Sequence, residues 1–187
     1  CECETFNVVD MVLPEGPQAA EGWIITGSRH GVYEDHAFLP PLEALIRDIA
    51  AARVPLIGVC FGHQVIAKAL GGKVEKFKGG WAVGRQVYDF DGEQIALNAW
   101  HQDQVVELPP GAQVIATNPF CRNAALVIGD SVLTLQPHPE FGAEMIGGLI
   151  DHRSGAVPAD LVAAARARLG EPTANTALAE RMAQFLV

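Results

Sequence analysis

The chain has 187 residues, 49% of them hydrophobic, and a formal charge of −9. That length and apolar content describe one well-cored globular domain spanning 1–187. Its 13 Lys and Arg are scattered rather than gathered into a stripe, which excludes a phosphate-gripping nucleic-acid surface, and no run approaches the roughly 18 apolar residues of a bilayer span. The expected setting is cytoplasmic, with neither nucleic acid nor membrane as partner. Cysteines at 1, 3, 60 and 121 form no Cys-x-x-Cys pair, so reduced thiols are expected, and Cys1 and Cys3 receive no role.

In chain order, buried parallel strands read as short continuous apolar runs: FNVVDMV (6–12), WIIT (23–26), PLIGVC (55–60) and SVLTLQ (131–136). Between them, LPPLEALIRDIAAAR places Leu42, Leu45, Ile46 and Ile49 on one face, and VIAKAL stops at Gly71 and Gly72, a glycine C-cap signature. Strand, helix and strand in alternation predict right-handed crossovers and helices layered on a mostly parallel sheet. The middle stretch from Gly79 to Leu108 alternates more, with a turn at Asp91-Gly92, and reads as antiparallel ribbons extending one edge. After Phe141 helical patterns dominate. ADLVAAARARLG carries a stripe of Leu161, Val162, Ala165 and Leu169, and ALAERMAQFLV one of Leu178, Met182, Phe185 and Leu186; both suit core packing. The tail over 156–187 serves as ordinary packing or as the surface of a homo-oligomer. The chain opens without Met in what reads as the middle of a domain, so a first strand and helix are expected before Cys1.

Gly58-Val59-Cys60-Phe61-Gly62 has the form glycine, any residue, nucleophile, any residue, glycine, with a strand before and a helix after. Such a turn forces strained backbone angles on its central residue and brings its flanks too close for side chains, which explains the glycines. It displays the Cys60 sulfur over a helix N-terminus, whose partial positive charge favours an anion. A buried structural cysteine in a tight turn is the competing reading; the two glycines at the strand-to-helix switch favour the nucleophile.

A thiolate nucleophile needs a base that later acts as acid, and the base needs an orienting group. In LTLQPHPEF (133–141), Pro137 and Pro139 stiffen the chain as it leaves its strand. In that extended ribbon the side chains at 138 and 140 share a side, so Glu140 is placed to hold the His138 imidazole in one tautomer. His63 is an internal rival three residues beyond Cys60, read as pointing along the helix and solvated at the rim. The histidines show no metal-ligand spacing, so neither metal nor cofactor is predicted. The oxyanion formed on attack should meet the N–H of Phe61 and a second N–H from the Gly27-Ser28 turn after WIIT.

GVCFGHQ, QPHPE and the glycine turn after WIIT, in that family's order, resemble the class I glutamine amidotransferases. The likeness is to the glutaminase domain of GMP synthase and its stand-alone relatives, and runs from about residue 23 to 141. It implies a three-layer α/β/α sandwich with a flavodoxin-like, mostly parallel sheet and an antiparallel edge extension. Residue by residue it makes Cys60 the nucleophile, His138 the acid and base, Glu140 the orienter, and Gln64, His101, Gln102 and Asp103 contacts to substrate. Two motifs depart from the family: Gly27-Ser28-Arg29 replaces a glycine-glycine-proline turn, and Trp100-His101-Gln102-Asp103 replaces Ser-His-Gly-Asp.

The implied activity is hydrolysis of the γ-amide of glutamine to glutamate and ammonia through a Cys60 thioester. No Ser-Gly-Gly-x-Asp-Ser pyrophosphate loop occurs, so any synthetase accepting the ammonia would be a separate subunit. The alternative keeps the nucleophile and changes the leaving group, as in γ-glutamyl peptidases acting on γ-glutamyl peptides such as glutathione conjugates. A thiol sensor or chaperone of the DJ-1 type is a more distant alternative, because the proteases among those relatives usually place His where this chain has Phe61.

Overall fold

A computed structural model describes residues 2–186. In chain order, β1 (Trp23–Ile25), α1 (Leu39–Ala51), β2 (Leu56–Val59) and α2 (Phe61–Ala69) come first. Six strands follow with no α-helix among them: β3 (Lys73–Lys76), β4 (Ala82–Phe90), β5 (Glu93–His101), β6 (Asp103–Glu107), β7 (Ala112–Thr117) and β8 (Ala125–Ile128). Then come β9 (Val132–Leu135), α3 (Ala143–Arg153), α4 (Ala159–Ala167) and α5 (Asn175–Phe185).

Seven strands form one sheet in the order β1-β2-β9-β8-β7-β4-β5, while β3 and β6 pair separately. β1, β2 and β9 run parallel, with Ile25 opposite Gly58 and Gly58 opposite Thr134. β7 and β8 lie beyond the stretch read as ribbons (79–108) and carry antiparallel ladders from β4 to β9. The ribbon itself supplies β6, which pairs with β3, and β4 and β5, which form one edge of the seven-stranded sheet. Its longest hairpin turns at Asp91 and Gly92, both at positive φ (51° and 93°), the conformation that a two-residue turn matching strand twist requires.

Every residue of β2 and β9 is buried, which is why both read as unbroken apolar runs. Leu56 and Val132 face Leu42, Ile46 and Ile49 of α1 and Val65 and Ile66 of α2. Ile57, Val59 and Leu133 face Met182, Phe185 and Leu186 on the other side. Helices on both faces make the three-layer α/β architecture. In the tail, Leu161, Val162, Ala165 and Leu169 pack with Val83, Trp100, Ile146 and Ile150, and Leu178 with Tyr88, Leu97 and Leu135.

The strand expected over 6–12 is not formed. Those residues hold a single 3-10 turn, Val8–Asp10, closed by Met11 N–H on the Val8 carbonyl. They have no ladder partner among the described residues, and Val9, Met11 and Val12 stand about half exposed. An apolar run without a neighbouring strand to satisfy its backbone gains nothing from extension. Cys1 lies outside the described residues, and Cys3 is exposed.

Candidate active site

Parallel β1, β2 and β9 end on the same sheet edge, where sites of open α/β sheets gather. The chain leaving β2 turns at Cys60 into α2. Cys60 has φ 53° and ψ −102°, a conformation costing roughly 1–3 kcal/mol for a residue with a side chain. It is pinned by its own N–H on the Leu135 carbonyl (2.8 Å) and by Gln64 N–H on its carbonyl (3.1 Å). The flanking glycines are sterically required. A Cβ on Gly58 would lie 2.6 Å from the Gly62 carbonyl and from Ile66 Cδ1, and one on Gly62 would land on the carbonyl oxygen of Ile25. The sulfur therefore stands at the mouth of α2, beside the Phe61 N–H of a first turn that has no intrahelical acceptor.

The ribbon leaving β9 carries His138, held on three sides. Its N–H donates to the Asn98 carbonyl at 2.9 Å, extending the sheet by one bridge to β5. Its Nδ1 meets Glu140 Oε1 at 2.7 Å. The Phe141 ring lies flat against its face at 3.7 Å, and the Phe141 carbonyl accepts from Asn98 Nδ2 (2.8 Å) and Asn175 Nδ2 (3.0 Å). Only 4% of His138 and 7% of Cys60 is exposed, whereas the Glu140 side chain is half exposed. Burial pushes the His138 pKa down, but the hydrogen bonds with Cys60 and Glu140 outweigh it and raise the value to about 9. With Nδ1 occupied by Glu140, Nε2 is the nitrogen left for the sulfur. Cys60, His138 and Glu140 thus form one connected set, and its imidazole is protonated at neutral pH.

Gly27 closes the third side. A Cβ there would lie 3.0 Å from His138 Cε1 and 3.8 Å from Cys60 Cβ, so the Gly27-Ser28 backbone passes directly beside the imidazole and the Cys60 side chain. The loop it opens is tied down by Lys68 Nζ of α2, which donates to the Val32 carbonyl at 2.6 Å.

The other residues assigned from sequence fall into two groups. Gln64 and His101 are buried. Gln64 Nε2 donates to the Asp103 carbonyl (3.0 Å) and Gln136 Oε1 (3.1 Å), and His101 Nδ1 faces the Asp103 carbonyl at 3.1 Å. Gln102 and Asp103 are half-buried: Gln102 Nε2 donates to the Phe77 carbonyl, and the Asp103 carboxylate accepts from Tyr33 Oη at 3.0 and 3.1 Å. That last bond joins the Gly27 loop to the β5–β6 corner. Burial and the Asp103 carboxylate push the Tyr33 phenol up to about 12, which keeps it a donor.

His63 is not solvated at a rim. It is fully buried, with Nδ1 on Thr134 Oγ1 at 2.8 Å, because α2 lies flat on β9; burial, then His101, pushes its pKa down to about 3. His101 falls to about 4 through burial, with His138 adding to it. Sequence reasoning missed Asn98, Phe141 and Tyr33, although Phe141 directly follows the His-Pro-Glu ribbon. It also missed that His30, Glu34 and His36 converge in the loop after Gly27, since their spacing matches no helical ligand motif.

The sequence profile of glutamine amidotransferase class-I matches residues 9–148. The chain belongs to this family. It is 30% identical over 164 residues to γ-glutamyl peptidase 4 of Arabidopsis thaliana, covering 79% of this chain and 65% of that protein. It is 32% identical over 166 residues to the glutamine-hydrolysing GMP synthase of Porphyromonas gingivalis, covering 81% of this chain and 31% of that protein. The solved structure of a glutamine amidotransferase from Methylobacillus flagellatus superposes with a TM-score of 0.78 at 29% identity, covering 93% of this chain and 77% of that one. The chain thus spans about 65% of the length of the γ-glutamyl peptidase it matches. Among the described residues, no helix of this family member is long and apolar enough to cross a membrane.

Proposed function

We propose that the chain hydrolyses the γ-amide of glutamine through a Cys60 thioester. The observation carrying this reading is the connected set itself: a sulfur on a strained elbow, linked to an imidazole whose far nitrogen rests on Glu140 at 2.7 Å. The sulfur attacks the γ-carboxamide carbon and the C–S bond forms. The oxyanion is met by the N–H of Phe61 and one from the Gly27-Ser28 turn, fixed donors that need no reorganisation as charge develops. Collapse breaks the C–N bond while His138 passes its proton to the departing ammonia. Water then attacks the thioester, giving a proton to His138 as the C–S bond breaks and glutamate leaves. Ammonia passes to solvent or to a separate synthetase subunit.

Cys60→Ala and His138→Asn should each lower glutamine turnover by about 10³-fold or more. Wild-type rates in both would remove the assignment.

A second reading retains these steps and exchanges ammonia for an amino-acid or peptide amine. It is supported by relatives named as γ-glutamyl peptidases and by the replacement of Ser-His-Gly-Asp with Trp100-His101-Gln102-Asp103. Comparing kcat/KM for glutamine with that for γ-glutamyl dipeptides decides between the readings: preference for the dipeptides makes the chain a peptidase with the same nucleophile.

A further inference from the structure

The loop between β1 and α1 gathers three potential ligands away from the nucleophile. One ligand atom each from His30, Glu34 and His36 lies within 4.8 Å of the others. His30 Nδ1 is 3.1 Å from His36 Nε2, and His36 Nε2 is 2.8 Å from Glu34 Oε2. Ligands around a tetrahedral zinc-class ion at about 2.0–2.2 Å stand about 3.3–3.6 Å apart, so these two pairs need to open by only a few tenths of an ångström to take an ion between them.

Proton counting points the same way. A carboxylate only accepts, and an unprotonated ring nitrogen offers one lone pair. His36 Nε2 has a single proton at most, which it must share between Glu34 Oε2 and His30 Nδ1. A divalent cation at the centre takes a lone pair from all three at once.

The rings are also preset. His36 stacks on Phe38 at 5.4 Å and 15°, His30 meets Phe38 edge-on at 5.5 Å, and Phe38 is buried. The Gly31 N–H holds Glu34 Oε2 at 2.9 Å. Support of this kind fixes ligand orientation and is part of a built site. The His36 and Glu34 side chains are 30% and 48% exposed, leaving room for water in the remaining positions.

We propose that His30, Glu34 and His36 bind a divalent transition metal of the zinc class. Two imidazoles and one carboxylate suit zinc, cobalt or nickel, not calcium or magnesium, which prefer all-oxygen cages. The ion braces the loop that begins at Gly27-Ser28, because Phe38, the shelf under both rings, packs in turn on Phe61 at 6.4 Å. This site is independent of the acyl-transfer reading.

The test uses the full chain with Cys1→Ser, Cys3→Ser and Cys60→Ala, so that no thiol there or at the catalytic pair competes for metal. Titration with zinc by calorimetry and with cobalt(II) by absorption should give one equivalent bound, without thiolate charge-transfer bands. His36→Ala should weaken it by about 100-fold or more, and Glu34→Gln by about tenfold. Amides of the 27–38 loop should exchange more slowly with zinc present. No binding in this background, or unchanged affinity in His36→Ala, overturns the site; unchanged exchange overturns the brace.

Discussion

The Phe141 ring lies parallel to the His138 imidazole, with centroids 3.7 Å apart and planes 4° from parallel. This stack fixes the plane in which the imidazole can turn, while Glu140 fixes its rotation within that plane. The Phe141 ring has no group that can take or give a proton, so it is a positioning residue. A ring stack contributes about 0.5–1.5 kcal/mol beyond burial, hence Phe141→Ala should lower kcat about 3- to 10-fold with KM little changed, and Phe141→Tyr should restore most of it. Steady-state kinetics on the three proteins check this; a change confined to KM would assign Phe141 to substrate binding instead.

The His138 pKa of about 9, lifted by Cys60 and Glu140 against burial, sets the direction of the pH dependence. The ring is protonated below that value, so activity should fall as pH rises through about 9. Glu140→Gln removes one lifting cause, and its alkaline limb should move to lower pH with kcat reduced about tenfold or more. The same shift bears on stability. The folded value lies above the ordinary 6.5, so the contribution is complete below pH 6.5 and fades as pH climbs towards 9. Thermal melts across that window should show the decline, and Cys60→Ala should flatten it. An alkaline limb unmoved in Glu140→Gln would mean another group controls it.

Gly62 fits against the Ile25 carbonyl with no room for a methyl group. Gly62→Ala must push α2 off β1, an overpacking cost of about 3 kcal/mol, and the first turn carrying the Phe61 N–H moves with it. Urea melts should show the destabilisation, and activity should be lost even at temperatures where the variant remains folded. Gly142→Ala, where a Cβ meets nothing within 4 Å, is the matched control.

The turn at Cys60 and the ribbon at His138 were more legible than the strand boundaries, for a physical reason. Gly58, Cys60 and Gly62 announce the elbow because the steric demand falls on adjacent residues, and Pro137 and Pro139 mark the ribbon because proline restricts its neighbours. The apolar run at 6–12 looked like the buried runs of β2 and β9, but burial depends on what lies alongside, which the run itself does not encode. Likewise His63 owes its burial to α2 folding over β9, a contact between distant segments. The His30, Glu34 and His36 convergence comes from loop curvature, which leaves no periodic trace.

β9 enters the sheet between β2 and β8, and it alone joins the parallel pair β1-β2 to the four-stranded antiparallel ribbon. β9 follows β8 as a local antiparallel hairpin, so the ribbon reaches the parallel pair only when β9 docks on the distant β2, and the same segment delivers the imidazole. Such long-range parallel pairing is slow to nucleate. Glutamine hydrolysis should consequently return in refolding only with the final cooperative step, so that its recovery would report complete assembly.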